Sequence, residues 1–156
     1  MGRICLLIMV LSCLFFTFSL GVEKQTFYQE PDIENGNIVF IYNSDIYTVP
    51  ENGGFARRLT SHIGHENYPK FSPGGSQIAF TGEYYGEENV FVIDFAGGEP
   101  QQLTFYPEID RVIDWTPDGK NILFTSGQNS FVRFFKKFFI ISPDKKGLPE
   151  ELPIDK

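Results

Sequence analysis

The chain has 156 residues, a formal charge of −7, 17 Phe and 7 Tyr, and only two cysteines. That length suits one ordinary domain, and an acidic, evenly mixed charge distribution argues against nucleic acid as a partner. The aromatic content fits a β protein, where large rings pack on a pleated, half-buried face.

Residues 1–21 read as a secretory signal peptide. Arg3 supplies a positive start, Ile4 to Phe18 is apolar apart from Ser12, Cys13 and Thr17, and Ser19-Leu20-Gly21 offers small residues for cleavage. An uncleaved N-terminal anchor is the competing reading, because the apolar run is near the lower limit for spanning a bilayer. Cys5 and Cys13 both lie in this segment. The mature chain is therefore expected to hold no disulfide, thiol nucleophile or cysteine metal site, and its charge becomes −8 once Arg3 is lost. Localisation is secreted or periplasmic on this reading, and cytoplasmic if the segment is not a signal.

From residue 29 onward the sequence repeats. Gly53-Gly54-Phe55-Ala56-Arg57-Arg58-Leu59-Thr60 aligns with Gly97-Gly98-Glu99-Pro100-Gln101-Gln102-Leu103-Thr104, 44 residues later. At the same offset, Phe71-Ser72-Pro73-Gly74-Gly75-Ser76-Gln77-Ile78-Ala79-Phe80 aligns with Trp115-Thr116-Pro117-Asp118-Gly119-Lys120-Asn121-Ile122-Leu123-Phe124. A period in the low forties built from short β segments is the pattern of propeller blades, each a four-stranded antiparallel sheet. The first blade, residues 29–60, is expected to use strands at Gln29 to Ile33, Asn37 to Tyr42, Asp45 to Val49 and Phe55 to Thr60. The second, 68–104, uses Tyr68 to Ser72, Gln77 to Thr81, Asn89 to Phe95 and Glu99 to Thr104. The third, 111–153, uses Arg111 to Trp115, Asn121 to Thr125, Phe138 to Ile141 and Leu148 to Pro153. Pro at the second turn position and Gly at the fourth close the first hairpin of blades two and three.

The fold class is thus all-β: a partial propeller of about three blades over residues 22–156, with no internal domain boundary. Three blades are fewer than the four to eight that close a ring. The expectation is a piece of a longer protein, with ring assembly from several copies ranked second.

The turn phrases Phe71-Ser72-Pro73-Gly74-Gly75 and Trp115-Thr116-Pro117-Asp118-Gly119, each followed by an Ile-x-Phe strand, resemble the Pro-Asp-type repeats of TolB proteins, tricorn proteases and prolyl-oligopeptidase-type enzymes. Asp45-Ile46-Tyr47-Thr48-Val49-Pro50 and Asp110-Arg111-Val112-Ile113-Asp114-Trp115 bring the resemblance closest to the N-terminal propeller of tricorn-type proteases, over roughly residues 29–153. The resemblance implies a serine peptidase of the tail-specific type that processes oligopeptides, with propellers that gate or scaffold and catalytic residues in a later domain. No catalytic, cofactor-binding or metal-binding residue is carried over to this chain, and no cofactor is expected. Implied partners are peptides or protein segments, further blades and a catalytic domain. A TolB-like, protein-binding envelope propeller without enzymatic activity is the alternative, and a self-associating three-blade protein is a third.

Three stretches invite chemistry. His62, His65 and Glu66 would make a three-ligand zinc set, but they lack the His-Glu-x-x-His order and lie in an inter-blade connection, so a polar loop is expected. Glu87-Glu88 and the Glu108, Asp110, Asp114 group would supply paired acids for glycoside hydrolysis. The ordinary explanation, an ion pair involving Asp110 and Arg111, is preferred. Phe131, Phe134, Phe135, Phe138 and Phe139 follow helical spacing with Arg133, Lys136 and Lys137 between them, the pattern of a membrane-surface helix. The repeat register favours a decorated loop followed by a strand.

Overall fold

The computed structural model describes residues 27–130, 135–144 and 147–154. The expected signal peptide and the stretch from Phe131 to Phe134 lie outside these residues. Twelve strands form three four-stranded antiparallel sheets, each in simple sequential order, and no helix occurs among the described residues. The first sheet holds β1 (Gln29–Glu34), β2 (Asn37–Tyr42), β3 (Asp45–Pro50) and β4 (Arg57–Arg58). The second holds β5 (Glu66–Phe71), β6 (Gln77–Gly82), β7 (Asn89–Asp94) and β8 (Gln101–Gln102). The third holds β9 (Arg111–Trp115), β10 (Ile122–Ser126), β11 (Lys137–Ile141) and β12 (Glu150–Glu151).

The second sheet buries both faces of its central strands, and the first and third each bury the face turned toward it. Alternation sends successive side chains to opposite faces. Ile78, Phe80, Phe91 and Ile93 of the second sheet therefore pack with Val39, Ile41 and Ile46 of the first. Ala79, Val90 and Val92 leave the other face and pack with Val112, Trp115, Ile122, Phe124, Phe139 and Ile141 of the third. Two apolar layers thus weld three sheets into one stack. At about 25 cal/mol per Å² of apolar surface removed from water, these layers are the main stabilising term.

Polar ties repeat across the layers. The Trp115 indole N–H donates to the Lys70 carbonyl at 2.9 Å. Gln101 reaches the Pro143 carbonyl at 2.9 Å, just as Arg57, 44 residues earlier, reaches the Phe95 and Ala96 carbonyls. Turn chemistry differs between the two Pro-containing hairpins. Gly75 N–H donates to the Ser72 carbonyl and Gly119 N–H to the Thr116 carbonyl. Gly74 takes φ +89°, a type II arrangement, whereas Asp118 stays in the ordinary region and leaves Gly119 alone at φ +68°.

The strands differ from their expected spans in two ways. The outermost strands pair over only two residues each, because a polar edge has a neighbour on one side alone. The innermost strands each carry a register shift, with Glu30 and Tyr68 at positive φ in the first two blades. This bulge moves the start of β5 forward to Glu66.

Candidate functional site

Between consecutive blades the chain buries an acid inside a hydrogen-bonded knot. In the first junction Thr60, just after β4, places its hydroxyl oxygen 2.8 Å from the Ile46 N–H and donates to Glu66. Glu66, at the start of β5, is fully buried. One of its oxygens also accepts from Ile46 N–H at 3.0 Å, and the other accepts from the Tyr84 hydroxyl at 2.5 Å. Beside it, Arg58 pairs with the buried Asp45 at 2.7 Å and donates to the Thr60 carbonyl.

The second junction repeats the design 44 residues on. The Thr104 hydroxyl accepts from Val90 N–H at 2.9 Å, and Gln102 donates to the Thr104 carbonyl at 2.8 Å, in the role of Arg58. Asp110 takes the place of Glu66 and is 1% exposed. The backbone agrees: Glu66 N–H donates to the Ser44 carbonyl and Asp110 N–H to the Glu88 carbonyl.

Burial pushes both acids above the usual carboxylate range. Donors from Thr60, Tyr84 and Ile46 partly offset this at Glu66, and the Ser126 and Thr104 hydroxyls do so at Asp110. The Tyr84 hydroxyl is driven up as well, by burial first and then by its bond to Glu66. Glu66 thus latches the first blade to the second. Asp110, in contrast, keeps one carboxylate oxygen without a hydrogen-bond partner among the described residues. Its junction is latched by the Thr81 hydroxyl, which donates to the Asp110 carbonyl at 3.2 Å and accepts from Val112 N–H at 2.9 Å. The Asp110 acid was expected in an ion pair with Arg111. Instead it is buried with one carboxylate oxygen unpartnered among the described residues, while the Arg111 guanidinium lies over the Tyr68 ring at 4.5 Å from its centroid.

Outside each knot a cleft opens between adjacent blades. The first encloses about 220 Å³ and is lined by Leu59 to His62, by Tyr84 and Tyr85, and by Gly98 to Pro100. The second encloses about 370 Å³ and is lined by the corresponding Leu103 to Tyr106, with Gln128 and Gly147 to Pro149. A third hollow of about 310 Å³ shares Tyr85 with the first and Phe105 and Tyr106 with the second. Tyr85, Phe105 and Leu148 stand largely exposed on this rim, alongside Glu87 and Glu99. The second hollow is mainly apolar, whereas Glu99 edges the first and Glu87 the third.

The remaining sequence candidates do not converge. The His62 ring stacks on Tyr84 at 3.9 Å, and its Nδ1 accepts from Gly64 N–H. His65 Nδ1 lies 2.9 Å from the Ser44 hydroxyl, and Glu66 is enclosed in the knot. Among the described residues no three His, Cys, Asp or Glu side chains form a metal-holding group. Asp114 is exposed and accepts from its neighbour Trp115 N–H. Phe138 falls on β11, in strand geometry.

The sequence places Glu66 in a polar loop and Asp110 in an ion pair, and gives neither as a buried group at a blade junction. Their signal was the repeat itself, which aligns Thr60 with Thr104 and Glu66 with Asp110.

Comparison with known proteins follows the same register. A Streptomyces coelicolor protein described as Tricorn protease homolog 1 is 34% identical over 98 residues, 62% of this chain and 9% of that relative. A Sulfurisphaera tokodaii chain described as a tricorn-like protease N-terminal subunit is 26% identical over 144 residues, 89% of this chain and 72% of its own length. The solved TolB of Acinetobacter baumannii superposes with a TM-score of 0.70 at 21% identity, over 83% of this chain and 33% of that one. The model of the tricorn protease N-terminal β-propeller domain matches residues 25–156. With its blades, latches and repeat register thus accounted for, the chain belongs to the tricorn protease N-terminal β-propeller domain family.

Proposed function

We propose that this chain is the non-catalytic propeller portion of a secreted, tricorn-like serine peptidase, where it scaffolds or gates the access of peptides to a catalytic unit. The observation that carries the reading is the fate of its polar chemistry. Buried Glu66 and the Thr60 and Thr81 hydroxyls are spent on bonds between one blade and the next, and the family match runs through all three blades. The inter-blade hollows would seat a passing chain, the second through its apolar lining of Leu103, Phe105, Tyr106 and Leu148. The apolar pattern of residues 4–18 supports placement outside the cytoplasm.

The second reading is a TolB-like, protein-binding propeller of the cell envelope. It is favoured by the superposition on TolB, which at 21% identity speaks for the fold alone. Recovery of the tagged chain from its native locus distinguishes the two. Co-purification of serine peptidase activity on oligopeptides is expected. Recovery in a stable complex with no peptidase activity would favour the envelope reading instead.

A further inference from the structure

The third inter-blade hollow, of about 310 Å³, is walled by rings and oxygen acceptors. Tyr85, Phe105 and Tyr106 line it and are 78%, 75% and 40% exposed. Glu87, Asn89 and Gln102 complete the wall, with Glu87 exposed. The Gln102 amide already donates to the Thr104 carbonyl at 2.8 Å, and the Asn89 amide to the Glu87 carbonyl at 3.2 Å.

This hollow is built entirely from the most acidic stretch of the chain. No run of like charge marks it, yet from Phe71 to Asp110 there are seven acids and no Lys, Arg or His. Acids and bases balance over the rest of the sequence, so the whole formal charge of −7 belongs to this stretch. Among the described residues none of the seven acids forms a salt bridge. Arg57 and Lys136 approach from the other blades, but they donate to the Phe95, Ala96 and Ile109 carbonyls. Glu88, between Glu87 and Asn89, keeps one buried carboxylate oxygen without a hydrogen-bond partner among the described residues.

A ring face attracts a cation, and a carboxylate at its edge adds to that attraction. The fold already uses this pairing internally. The Arg111 guanidinium lies 4.5 Å from the Tyr68 ring centroid and that of Arg57 lies 5.3 Å from that of Phe95. Arginine suits such a wall better than lysine, because its planar head stacks on rings while its N–H groups fork toward oxygen acceptors.

We propose that this hollow binds an arginine side chain of an extended peptide, and that the adjoining second hollow takes an apolar side chain of the same peptide. The second hollow shares Phe105 and Tyr106 with it and adds Leu103, Leu148 and Pro149. The assignment rests on the reading of this chain as a peptide-handling propeller and names the kind of peptide it handles.

Calorimetric titration of the purified chain, as cells produce it, with the peptide acetyl-Leu-Gly-Arg-Gly-Leu-amide tests the site. Leucines stand two residues to either side of the arginine, so either chain direction can fill the second hollow. Saturable binding is expected, and it should weaken about tenfold when citrulline, a neutral isostere, replaces the arginine. Raising salt from about 50 to about 500 mM should weaken the arginine peptide and leave the citrulline peptide unchanged. Tyr85→Ala and Glu87→Gln, both at exposed positions, should each weaken the arginine peptide alone, by about three- to tenfold. Equal binding of the two peptides, or arginine binding indifferent to salt and to both variants, overturns the proposal and leaves the peptidase reading standing. Absence of saturable binding by either peptide overturns it as well, and co-purification of peptidase activity then judges the parent reading separately.

Discussion

At the residue scale, the acids of the two latches set the pH behaviour. Glu66 and Asp110 both titrate above the usual carboxylate range because burial disfavours their charged forms. A carboxyl whose folded value is raised binds more protons folded than unfolded. Its contribution is therefore fully present below the ordinary carboxylate value and is lost as pH rises through the raised one. Denaturation midpoints measured from pH 4 to 8 should thus fall with rising pH more steeply in the wild type than in the E66Q/D110N double variant. An equal slope in the two would remove these acids from the account. The threonines are the neutral half of the latch. Thr104→Val leaves the Val90 N–H without its side-chain acceptor in a buried place, and should cost about 1–3 kcal/mol in urea denaturation.

At the scale of elements, the turns and inter-blade ties hold the register. Gly53 with Gly54, and Gly97 with Gly98, bring the chain from the third strand to the fourth at positive φ, reaching +132° at Gly98. Side chains rarely adopt that conformation, so G98A should lower stability by about 1–3 kcal/mol although nothing stands in the way of a methyl group. Replacement of Trp115 by Phe keeps most of the ring but deletes the bond to the Lys70 carbonyl. A loss of about 1 kcal/mol is expected, visible as a lower thermal midpoint.

Elements were also the most legible part of the sequence. Asn37–Tyr42 and Arg111–Trp115 have the bounds their alternation suggested, since apolar periodicity and Pro/Gly turns reflect local physics. The bulge at Tyr68 and the brevity of β4, β8 and β12 were not legible, because both depend on what a strand meets across the sheet edge. Glu66 and Asp110 stand out in the sequence only as a zinc-set member and an ion-pair acid, because burial between blades shows itself only once the chain is folded.

At the scale of the whole molecule, three sheets are sealed by two apolar layers, and hollows open between the blades along one rim. The proposed role as scaffold for a passing peptide rests on these. Among the described residues neither histidine sits with an acid: His62 stacks against Tyr84, His65 lies beside the Ser44 hydroxyl, and Glu66 is held by Thr60, Tyr84 and Ile46. The most direct test of this non-catalytic role is turnover of a fluorogenic oligopeptide by the purified chain alone. No hydrolysis above the buffer blank is predicted. Clean turnover, abolished by changing a single residue of this chain, would contradict the account.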